Sequence, residues 1–440
     1  MSFSAAGFAA ALERLEHSLL ASGAHPSRYL IGLSGGLDSV VLAHALSNGG
    51  TKRPVHAVHV NHGLHEDASL WAEHCERVAA HLGIECTVLE VTVGRDGGPE
   101  AAARQARYAA IQTEMAAGDW LLSAHHREDQ AETLLLNLLR GSGPTGIAGI
   151  PKLRRFGPGM LARPLLDVPR QSLRDYAGAN ELEWIDDPGN DESEYDRNHL
   201  RHAVFPLLES RWPDVAGRLA ASAELAREAS DLLVDVADVD LATVAKRPDR
   251  LHVEALSILS RPRQANAIRR AARLAGLAVP GRVHVDEILA QAIGARDDAL
   301  PVIAWPGGEA RRYRGVLYLL PSLPLPSFDG AEFVDACDLG PGMGRLELTP
   351  GNGLSASCVA AGLHLRVRRG GEEIKPEDQQ HTKKIKKLLQ ERGIVPWMRE
   401  RLPLVYSGEQ LVAVADLWTE ASVTVRGGMA IRWRDRPALD

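Results

Sequence analysis

The segment LIGLSGGLDSV, residues 30–40, constrains the fold of this chain more than any other stretch. A short apolar run ends at Ser34, Gly35 and Gly36, and the residues after them read as the first turn of a helix. Glycine lets backbone N–H groups approach an anion closely, and a helix N-terminus attracts negative charge. The segment therefore predicts a strand, a phosphate-binding loop and a helix, with a plain Gly-Gly turn as the alternative.

Asp38 is the unusual member of this loop, because a carboxylate repels phosphates unless a divalent cation lies between them. Mg²⁺ binds through carboxylates together with phosphate oxygens, so Asp38 is the predicted metal ligand. A carboxylate is also favoured in any first helical turn, which is the alternative explanation. The residues predicted to bind nucleotide phosphates are Ser34, Gly35, Gly36, Leu37, Asp38 and Ser39.

The first third of the chain alternates strand-like and helix-like segments. Four apolar runs begin near residues 28, 54, 85 and 120, and each is followed by a helical pattern. Strands that alternate with helices of about 10 to 15 residues indicate a parallel sheet covered on both faces. Ligands of such sheets bind at the carboxyl ends of the strands, near the switch point of the topology.

The pattern predicts an α/β fold that continues into two smaller domains. A Rossmann-like parallel-sheet domain with the nucleotide loop occupies residues 1–213, and an alanine-rich helical domain occupies residues 214–320. A Pro-rich linker follows at residues 321–345. Short β-like runs and one basic helix then predict a small α+β domain at residues 346–440.

Composition excludes several classes of protein. No apolar run approaches the ~18 residues of a membrane helix, so we expect no membrane partner. The four cysteines form no C-x-x-C pair, which argues against a disulfide framework or a zinc or iron-sulfur site and fits a reducing cytoplasm. A net charge of −7 argues against general polyanion binding, although residues 361–400 hold ten Lys and Arg against six Asp and Glu.

The pattern S-G-G-x-D-S after an N-terminal strand resembles that of the PP-loop ATP pyrophosphatases, and other stretches resemble one family within them, the tRNA(Ile)-lysidine synthetases. The similarity extends over nearly the whole chain and its motifs occur in the same order. The stretches are HVNHGLH (59–65), AARQARYA (102–109), AHHREDQAETLLLNLLRGSGPTGIAG (124–149), RPLL (163–166), WIDDPGNDESEYDRNHLRHAVFPLL (184–208), PRQANAIRRAAR (262–273), RRGGE (368–372) and KKIKKLLQERGIVPWMRERLPLVY (383–406).

The resemblance implies an ATP-dependent ligase. Such an enzyme adenylates the carbon-2 oxygen of the wobble cytidine in a tRNA(Ile) with a CAU anticodon, releases pyrophosphate, and lets the ε-amine of free L-lysine displace AMP from carbon-2. It implies ATP, Mg²⁺, L-lysine and this tRNA as ligands. Two alternatives remain at this point: a tRNA-thiolating enzyme of the same superfamily, and a nucleotide-gated tRNA-binding module without catalysis.

Asp129 and Glu132 stand three residues apart in HHREDQAET, so a helix would project both from one face. Two carboxylates suit an ammonium substrate, since they bind the cation and one can accept its proton. The acidic preference of helix N-termini would explain these residues equally well. With the resemblance, we predict that both bind lysine and that Asp129 is catalytic. The roles of Glu128, His125 and His126 stay open.

Adenylation builds negative charge on phosphates, so arginines are expected to face them. By resemblance, Arg107 and Arg201 match the catalytic positions, whereas Arg104 and Arg197 are as easily explained as surface arginines. The resemblance also includes Asp186 and Asn190 in a loop predicted to cover the crevice.

Contact with tRNA requires basic side chains that meet phosphates. Two helical patterns concentrate such residues, although a charged helix is more often a solvated face. The sequence leaves a homodimer possible and does not fix the oligomeric state. The predicted tRNA-binding residues are Arg263, Arg269, Arg270, Arg273, Lys383, Lys384, Lys386 and Lys387.

Overall fold

A computed structural model describes residues 3–17, 25–63, 65–94, 99–186, 196–294 and 300–440. The chain forms two compact units, Met1–Leu232 and Leu233–Asp440. The division falls inside one long helix, α10, so the boundaries expected from sequence at residues 213, 320 and 345 stay predictions.

A six-stranded sheet organises the first unit. Its strands are β1 (Arg28–Gly32), β2 (Val55–Asn61), β3 (Glu85–Glu90), β4 (Asp119–Leu122), β5 (Leu153–Phe156) and β6 (Gly159–Ala162). Their order is β3-β2-β1-β4-β6-β5, and all neighbours are parallel except β5 and β6, which form an antiparallel hairpin. The predicted parallel sheet is confirmed, with its switch point between β1 and β4.

Helices cover both faces of this sheet because alternate side chains of each buried strand point to opposite sides. Tyr29 and Ile31 pack in the cluster that includes the second helix, whereas Leu30 packs against Ile111 and Met115. The helices are α1 (Ala5–His17), α2 (Leu37–Asn48), α3 (Ala68–His81), α4 (Pro99–Glu114), α5 (Arg127–Leu139), α6 (Pro144–Ile147), α7 (Arg170–Ala179), α8 (Asp196–His199), α9 (Phe205–Arg211) and α10 (Val215–Val244), with a π-helical turn at Leu200–Val204.

The second unit contains the predicted helices and also an antiparallel sheet that the sequence did not indicate. Its strands are β7 (Ala245–Arg247), β8 (Arg250–His252), β9 (Val302–Trp305), β10 (Gly308–Tyr313) and β11 (Val316–Leu320), in the order β7-β8-β11-β10-β9. The helices are α11 (Val253–Ile258), α12 (Arg261–Leu274) and α13 (Arg282–Glu287), the last continued by a π-helical stretch at Ile288–Ile293.

The C-terminal part of this unit is α+β, as predicted. Residues 321–345, predicted as a linker, contribute the buried Phe328, Phe333 and Leu339 to its core. Its elements are β12 (Ala336–Asp338), β13 (Arg345–Leu354), α14 (Ala356–Ala360), β14 (Leu363–Arg366), β15 (Glu373–Ile374), β16 (Lys383–Lys384), α15 (Ile385–Glu391), α16 (Pro396–Arg399), β17 (Leu404–Ser407), β18 (Gln410–Val414), β19 (Trp418–Thr419) and β20 (Thr424–Arg434), with a 3₁₀ turn at Ala421–Val423.

Candidate active site

The loop between β1 and α2 is closed by a serine. The Ser39 hydroxyl donates a hydrogen bond to the Gly36 carbonyl over 2.9 Å and accepts one from the Ser34 backbone N–H over 3.1 Å. Gly35 has a φ of +85°, in the region that glycine adopts at little cost. Ser34 is exposed and Gly36 is half-buried, so the loop has an accessible face. The arrangement suits the predicted phosphate-binding loop.

Close packing lies beneath this loop and explains the first glycine. A Cβ at position 35 would lie 3.2 Å from Cys75 Sγ and 3.4 Å from Ile185 Cδ1. The Ile185 N–H also donates to the Gly35 carbonyl over 2.9 Å. At Gly36, by contrast, the nearest atoms to an added Cβ are 3.7 and 3.8 Å away. Gly35 therefore serves the packing of the loop, and Gly36 leaves room above it.

Asp38 and Asp129 meet at one imidazole. His126 Nε2 lies 3.7 Å from Asp38 Oδ2 and 3.5 Å from Asp129 Oδ2, and the His126 residue is 2% exposed. The two carboxylates come from the first turns of α2 and α5, which follow the adjacent parallel strands β1 and β4. The switch point of the sheet thus brings together Asp38 and Asp129, which lie 91 residues apart in the sequence.

The charges at this meeting point depend on one another. Burial raises the pKa of Asp38, although His126 and Arg170 oppose the rise. Burial alone would lower the pKa of His126, but Asp129, Glu128 and Asp38 outweigh it and raise that pKa. Burial also works against ionisation of Asp129, yet the neighbouring His126 and His125 lower its pKa to about 2. The site therefore favours the ionised form of Asp129, with the His126 imidazole as its neighbouring cation.

Glu128, whose role the sequence left open, holds the other side of the imidazole. Its Oε2 lies 3.1 Å from His126 Nδ1 and accepts a hydrogen bond from the Arg170 backbone N–H over 2.9 Å. The Arg170 side chain in turn places Nε 3.8 Å from Asp38 Oδ2. Arg170 was not among the predicted residues, because nothing in its spacing indicates that α7 begins beside α2.

Glu132 is occupied by arginines. Arg201 donates from Nε to Oε1 over 2.8 Å and from Nη2 to Oε2 over 3.0 Å, and Arg197 Nε lies 3.3 Å from Oε2. Arg201 Nη2 also lies 3.4 Å from Asp129 Oδ1. The structure thus brings Arg201 to the predicted carboxylate pair, and Glu132 acts on it as a buried anchor.

Two further predicted residues of this unit, Arg107 and Asp186, lie around the same edge of the sheet. Arg107 is exposed and donates from Nε to His62 Nε2 over 3.3 Å, and burial, with a smaller effect of Arg107, lowers the pKa of His62 to about 4. Asp186 accepts a hydrogen bond from the Trp184 indole over 3.2 Å. Asn190 lies outside the described residues.

The predicted tRNA-contacting arginines of α12 are partly paired with acids of α10. Arg263 forms an ion pair with the buried Asp240, and Arg270 donates to both oxygens of Asp238 over 2.7 and 2.8 Å. Arg269 is half-buried and Arg273 is exposed. Ion pairing and burial therefore reduce the positive charge that this helix offers to a phosphate.

The predicted basic helix near the C-terminus is divided between two elements. Lys383 and Lys384 lie on the short strand β16, and Lys386 and Lys387 lie on α15. Lys383 pairs with Glu391 over 3.2 Å. Lys384, Lys386 and Lys387 are exposed. Three of the four predicted lysines thus present their charge to solvent.

Three family models match the chain. A PP-loop domain matches residues 9–208, a TilS substrate binding domain matches residues 251–318, and a TilS substrate C-terminal domain matches residues 363–433. Among the described residues, no helix is long and apolar enough to cross a membrane.

The similar proteins include several tRNA(Ile)-lysidine synthases. The tRNA(Ile)-lysidine synthase of Alkalilimnicola ehrlichii is 43% identical over 91% of this chain and 92% of its own length. That of Coxiella burnetii is 38% identical over 88% of each chain. Among solved structures, the U34-tRNA thiolase NcsA of Methanococcus maripaludis aligns with 49% of this chain and 79% of its own at 17% identity, with a TM-score of 0.38.

Proposed function

Because the chain belongs to the tRNA(Ile)-lysidine synthase family, we propose that it joins L-lysine to carbon-2 of the wobble cytidine in a tRNA(Ile) with a CAU anticodon. ATP is the energy source. The carbon-2 oxygen of the cytidine attacks the α-phosphorus of ATP and pyrophosphate leaves. The ε-amine of lysine then attacks carbon-2, and AMP leaves with the oxygen.

The observation that carries this proposal is the convergence of Asp38 and Asp129 on His126 at the switch point of the sheet. The loop from Ser34 to Ser39 binds the phosphates of ATP through backbone N–H groups and hydroxyls at the start of α2. Asp129, ionised and accessible over 14% of its side chain, binds the lysine ammonium through its negative charge and orients it for attack. Arg201, held by Glu132, stabilises negative charge on the phosphates.

Asp38 fits a magnesium ion. Its Oδ1 is buried and has no hydrogen-bond partner among the described residues, which leaves an anionic oxygen for a cation. When bound, Mg²⁺ supplies positive charge to the triphosphate. Asp38, with phosphate oxygens, would hold it.

The cysteines argue against the thiolase alternative. Burial raises the pKa of Cys75 to about 12 and that of Cys86 to about 11, so both thiols stay protonated near neutral pH. A thiolate is the reactive form of cysteine. Neither residue is suited to carry sulfur, and a ligase fits the site better.

The test is transfer of labelled lysine to RNA. The full chain is incubated with ATP, Mg²⁺, labelled L-lysine and CAU-anticodon tRNA, and the label in the RNA is counted. We expect Asp38→Asn to abolish both pyrophosphate release and transfer, and Asp129→Asn to reduce transfer at least about 100-fold while some pyrophosphate release persists. Asp175→Asn, an exposed acid on α7, is the matched control. Binding of tRNA without any transfer by the wild type would instead favour a non-catalytic module.

A further inference from the structure

Three arginines surround Tyr108 in the first unit. Arg104 Nη2 donates to the Tyr108 hydroxyl over 3.1 Å, and the Arg104 guanidinium carbon lies 5.0 Å from the centre of the ring. Arg154, on β5, has its guanidinium carbon 5.9 Å from the same ring and 5.3 Å from the ring of Phe156. The third member is Arg163, which forms a side-chain hydrogen bond with Tyr108 and interacts electrostatically with Arg154 and Arg104. We name these three residues the arginine cluster.

Arg163 is the buried member of the arginine cluster. The residue is 3% exposed, and its Nη1 donates to the Pro151 carbonyl over 2.7 Å. Its Nε is buried and has no hydrogen-bond partner in the described part of the chain. Burial lowers its pKa to about 10, and Arg154 and Arg104 act in the same direction. A buried guanidinium normally has an anionic partner, because removing it from water is costly.

The arginine cluster has no such partner among the side chains that the structure describes. Its three members form no ion pair there, whereas Arg28, Arg53 and Arg201 of the same unit each pair with a carboxylate. Three cations around one ring repel one another unless an anion joins them. The arrangement of donors, together with the unpartnered Arg163 Nε, leaves positive charge available for an anion.

The position of the arginine cluster relates it to the active site. Arg163 directly follows β6, whose last residue, Ala162, accepts a hydrogen bond from the Ser123 N–H over 3.0 Å. His125, two residues after Ser123, is lowered in pKa to about 3 by burial, with further effects of Arg163 and Arg104. The arginine cluster therefore lies at the same edge of the sheet as the carboxylates of α5.

We propose that Arg104, Arg154 and Arg163 bind one phosphodiester group of the substrate RNA beside the nucleotide that reacts. This assignment rests on the proposed function. Guanidinium groups bind phosphate oxygens in pairs through fixed N–H geometry. The strand order puts β4 between β1, which leads into the nucleotide loop, and the pair formed by β6, which Arg163 follows, and β5, which carries Arg154. An RNA backbone that crosses this edge of the sheet contacts the exposed Arg154 from solvent. The triphosphate of ATP binds separately, at the start of α2.

The test exploits two adjacent arginines on β5. Arg154 and Arg155 are both exposed, but neighbouring side chains of a strand point to opposite sides, and it is Arg154 that lies over the rings. Binding of unmodified CAU-anticodon tRNA to the full chain is measured without lysine over a range of salt concentrations. We expect Arg154→Gln to weaken binding about five- to tenfold and to reduce the salt slope by about 0.7 to 0.9, the value for one phosphate contact. Arg155→Gln should match the wild type.

Two further measurements identify the phosphate. ATP binding to the same variants, measured by calorimetry, should not change; a weaker ATP affinity with unchanged tRNA affinity would assign the arginine cluster to the nucleotide and overturn the proposal. A tRNA with a neutral methylphosphonate at the contacted position should bind the wild type as weakly as normal tRNA binds Arg154→Gln, and should bind Arg154→Gln no worse than that. Arg163→Lys, checked for folding by circular dichroism, should also weaken tRNA binding because a lysine cannot reproduce the guanidinium contacts.

Failure of this site and failure of the proposed function give different results. If the wild type transfers lysine and Arg154→Gln binds tRNA like the wild type, the phosphate site is wrong and the ligase stands. If tRNA binding depends on Arg154 and the wild type never transfers lysine, the phosphate contact stands and the ligase assignment is wrong.

Discussion

Arg201, which we propose to be catalytic, shows how a buried acid can position a cation. Glu132, which is 1% exposed, accepts two hydrogen bonds from Arg201, and removal of the arginine side chain would leave most of that charge uncompensated. Breaking a buried pair costs about 3 to 5 kcal/mol. Because Arg197 stays near Glu132, we expect Arg201→Ala to lower the free energy of unfolding by about 3 kcal/mol, in urea titrations followed by tryptophan fluorescence.

The control for this prediction is Arg218→Ala, an exposed arginine on α10, which should change the free energy of unfolding by less than about 0.5 kcal/mol. The double variant Arg201→Ala/Glu132→Ala should be more stable than Arg201→Ala alone, since it removes the unpaired charge. Equal losses for Arg201→Ala and Arg218→Ala would contradict the anchoring role of Glu132.

His125 predicts a pH dependence of stability. Its folded-state pKa is lowered to about 3 by burial, whereas a histidine in the unfolded chain titrates near about 6.5. As the pH falls from 6.5 towards 3, the unfolded state takes up a proton that the folded state refuses, so stability falls by up to about 1.4 kcal/mol per pH unit. His125→Gln should lose less stability than the wild type between pH 6.5 and pH 4.5. His17→Gln, an exposed histidine, should retain the wild-type slope.

At the scale of elements, the loop before α2 separates two effects of a glycine. Gly35 and Gly50 both have positive φ, +85° and +74°, but an added Cβ meets Cys75 and Ile185 at Gly35 and nothing within 4 Å at Gly50. Alanine at either position costs about 1 kcal/mol of backbone strain. We expect Gly35→Ala to lose clearly more stability than Gly50→Ala, and also to weaken ATP binding in calorimetry. If Gly50→Ala weakens ATP binding equally, the packing under the loop is not the cause.

The elements also indicate how far a sequence can predict this fold. The strand-turn-helix pattern of the first third predicts β1 to β4 and the edge at which their motifs meet, because buried parallel strands are continuous apolar runs. The strands β7 and β8 are three residues each and include charged residues, so their pairing depends on contacts that are distant in sequence. Lys383 and Lys384 are a further example. Their spacing predicted a helix, but the pairing of β16 with β15 places them in a strand.

In the candidate site, too, local patterns predict some features, and others depend on contacts between residues that are distant in sequence. The spacing of Asp129 and Glu132 predicted a shared helical face, whereas the closeness of Asp129 to Asp38 follows from the strand order of the sheet. No local pattern indicates that Arg170 and Glu128 fix His126, since that contact joins the start of α5 to the start of α7. Glu132 was predicted to face a ligand by its spacing from Asp129, which cannot reveal that α8 and the π-helical turn deliver two arginines to it.

Helix α12 gives an element-scale prediction for RNA binding. Arg270 is engaged by Asp238, whereas Arg273, one turn later, is exposed. A cation that is already paired with an acid contributes less free energy to the binding of a phosphate. Arg273→Gln should therefore weaken tRNA binding by a few-fold, and Arg270→Gln should weaken it less while lowering the thermal midpoint of unfolding. Filter binding and differential scanning fluorimetry of the two variants compare these effects, and the reverse order would contradict the role of the ion pairs.

At the scale of the whole molecule, a chain with a net charge of −7 must bind a polyanion through local patches. Lys384, Lys386 and Lys387 form the exposed basic patch around β16 and α15. If they contact phosphates, the triple glutamine variant should weaken tRNA binding at least about tenfold and reduce the salt slope by up to about 2 to 3, since each contact contributes 0.7 to 0.9. Contacts with phosphates do not distinguish base sequences, so the affinity for tRNAs with other anticodons should fall by the same factor.

The same triple variant separates binding from chemistry. The lysines lie in the second unit, and the carboxylates that we assign to lysine transfer lie in the first. With tRNA at saturation, lysine transfer should therefore proceed at close to the wild-type maximal rate, and the loss should appear as a higher KM for tRNA. As a control for charge alone, replacing Lys52 and Lys246 by glutamine should leave the KM unchanged. A lower maximal rate with an unchanged KM would mean that this patch acts on the reaction itself and that tRNA is bound elsewhere, because a residue that only binds substrate affects KM and leaves kcat as it was.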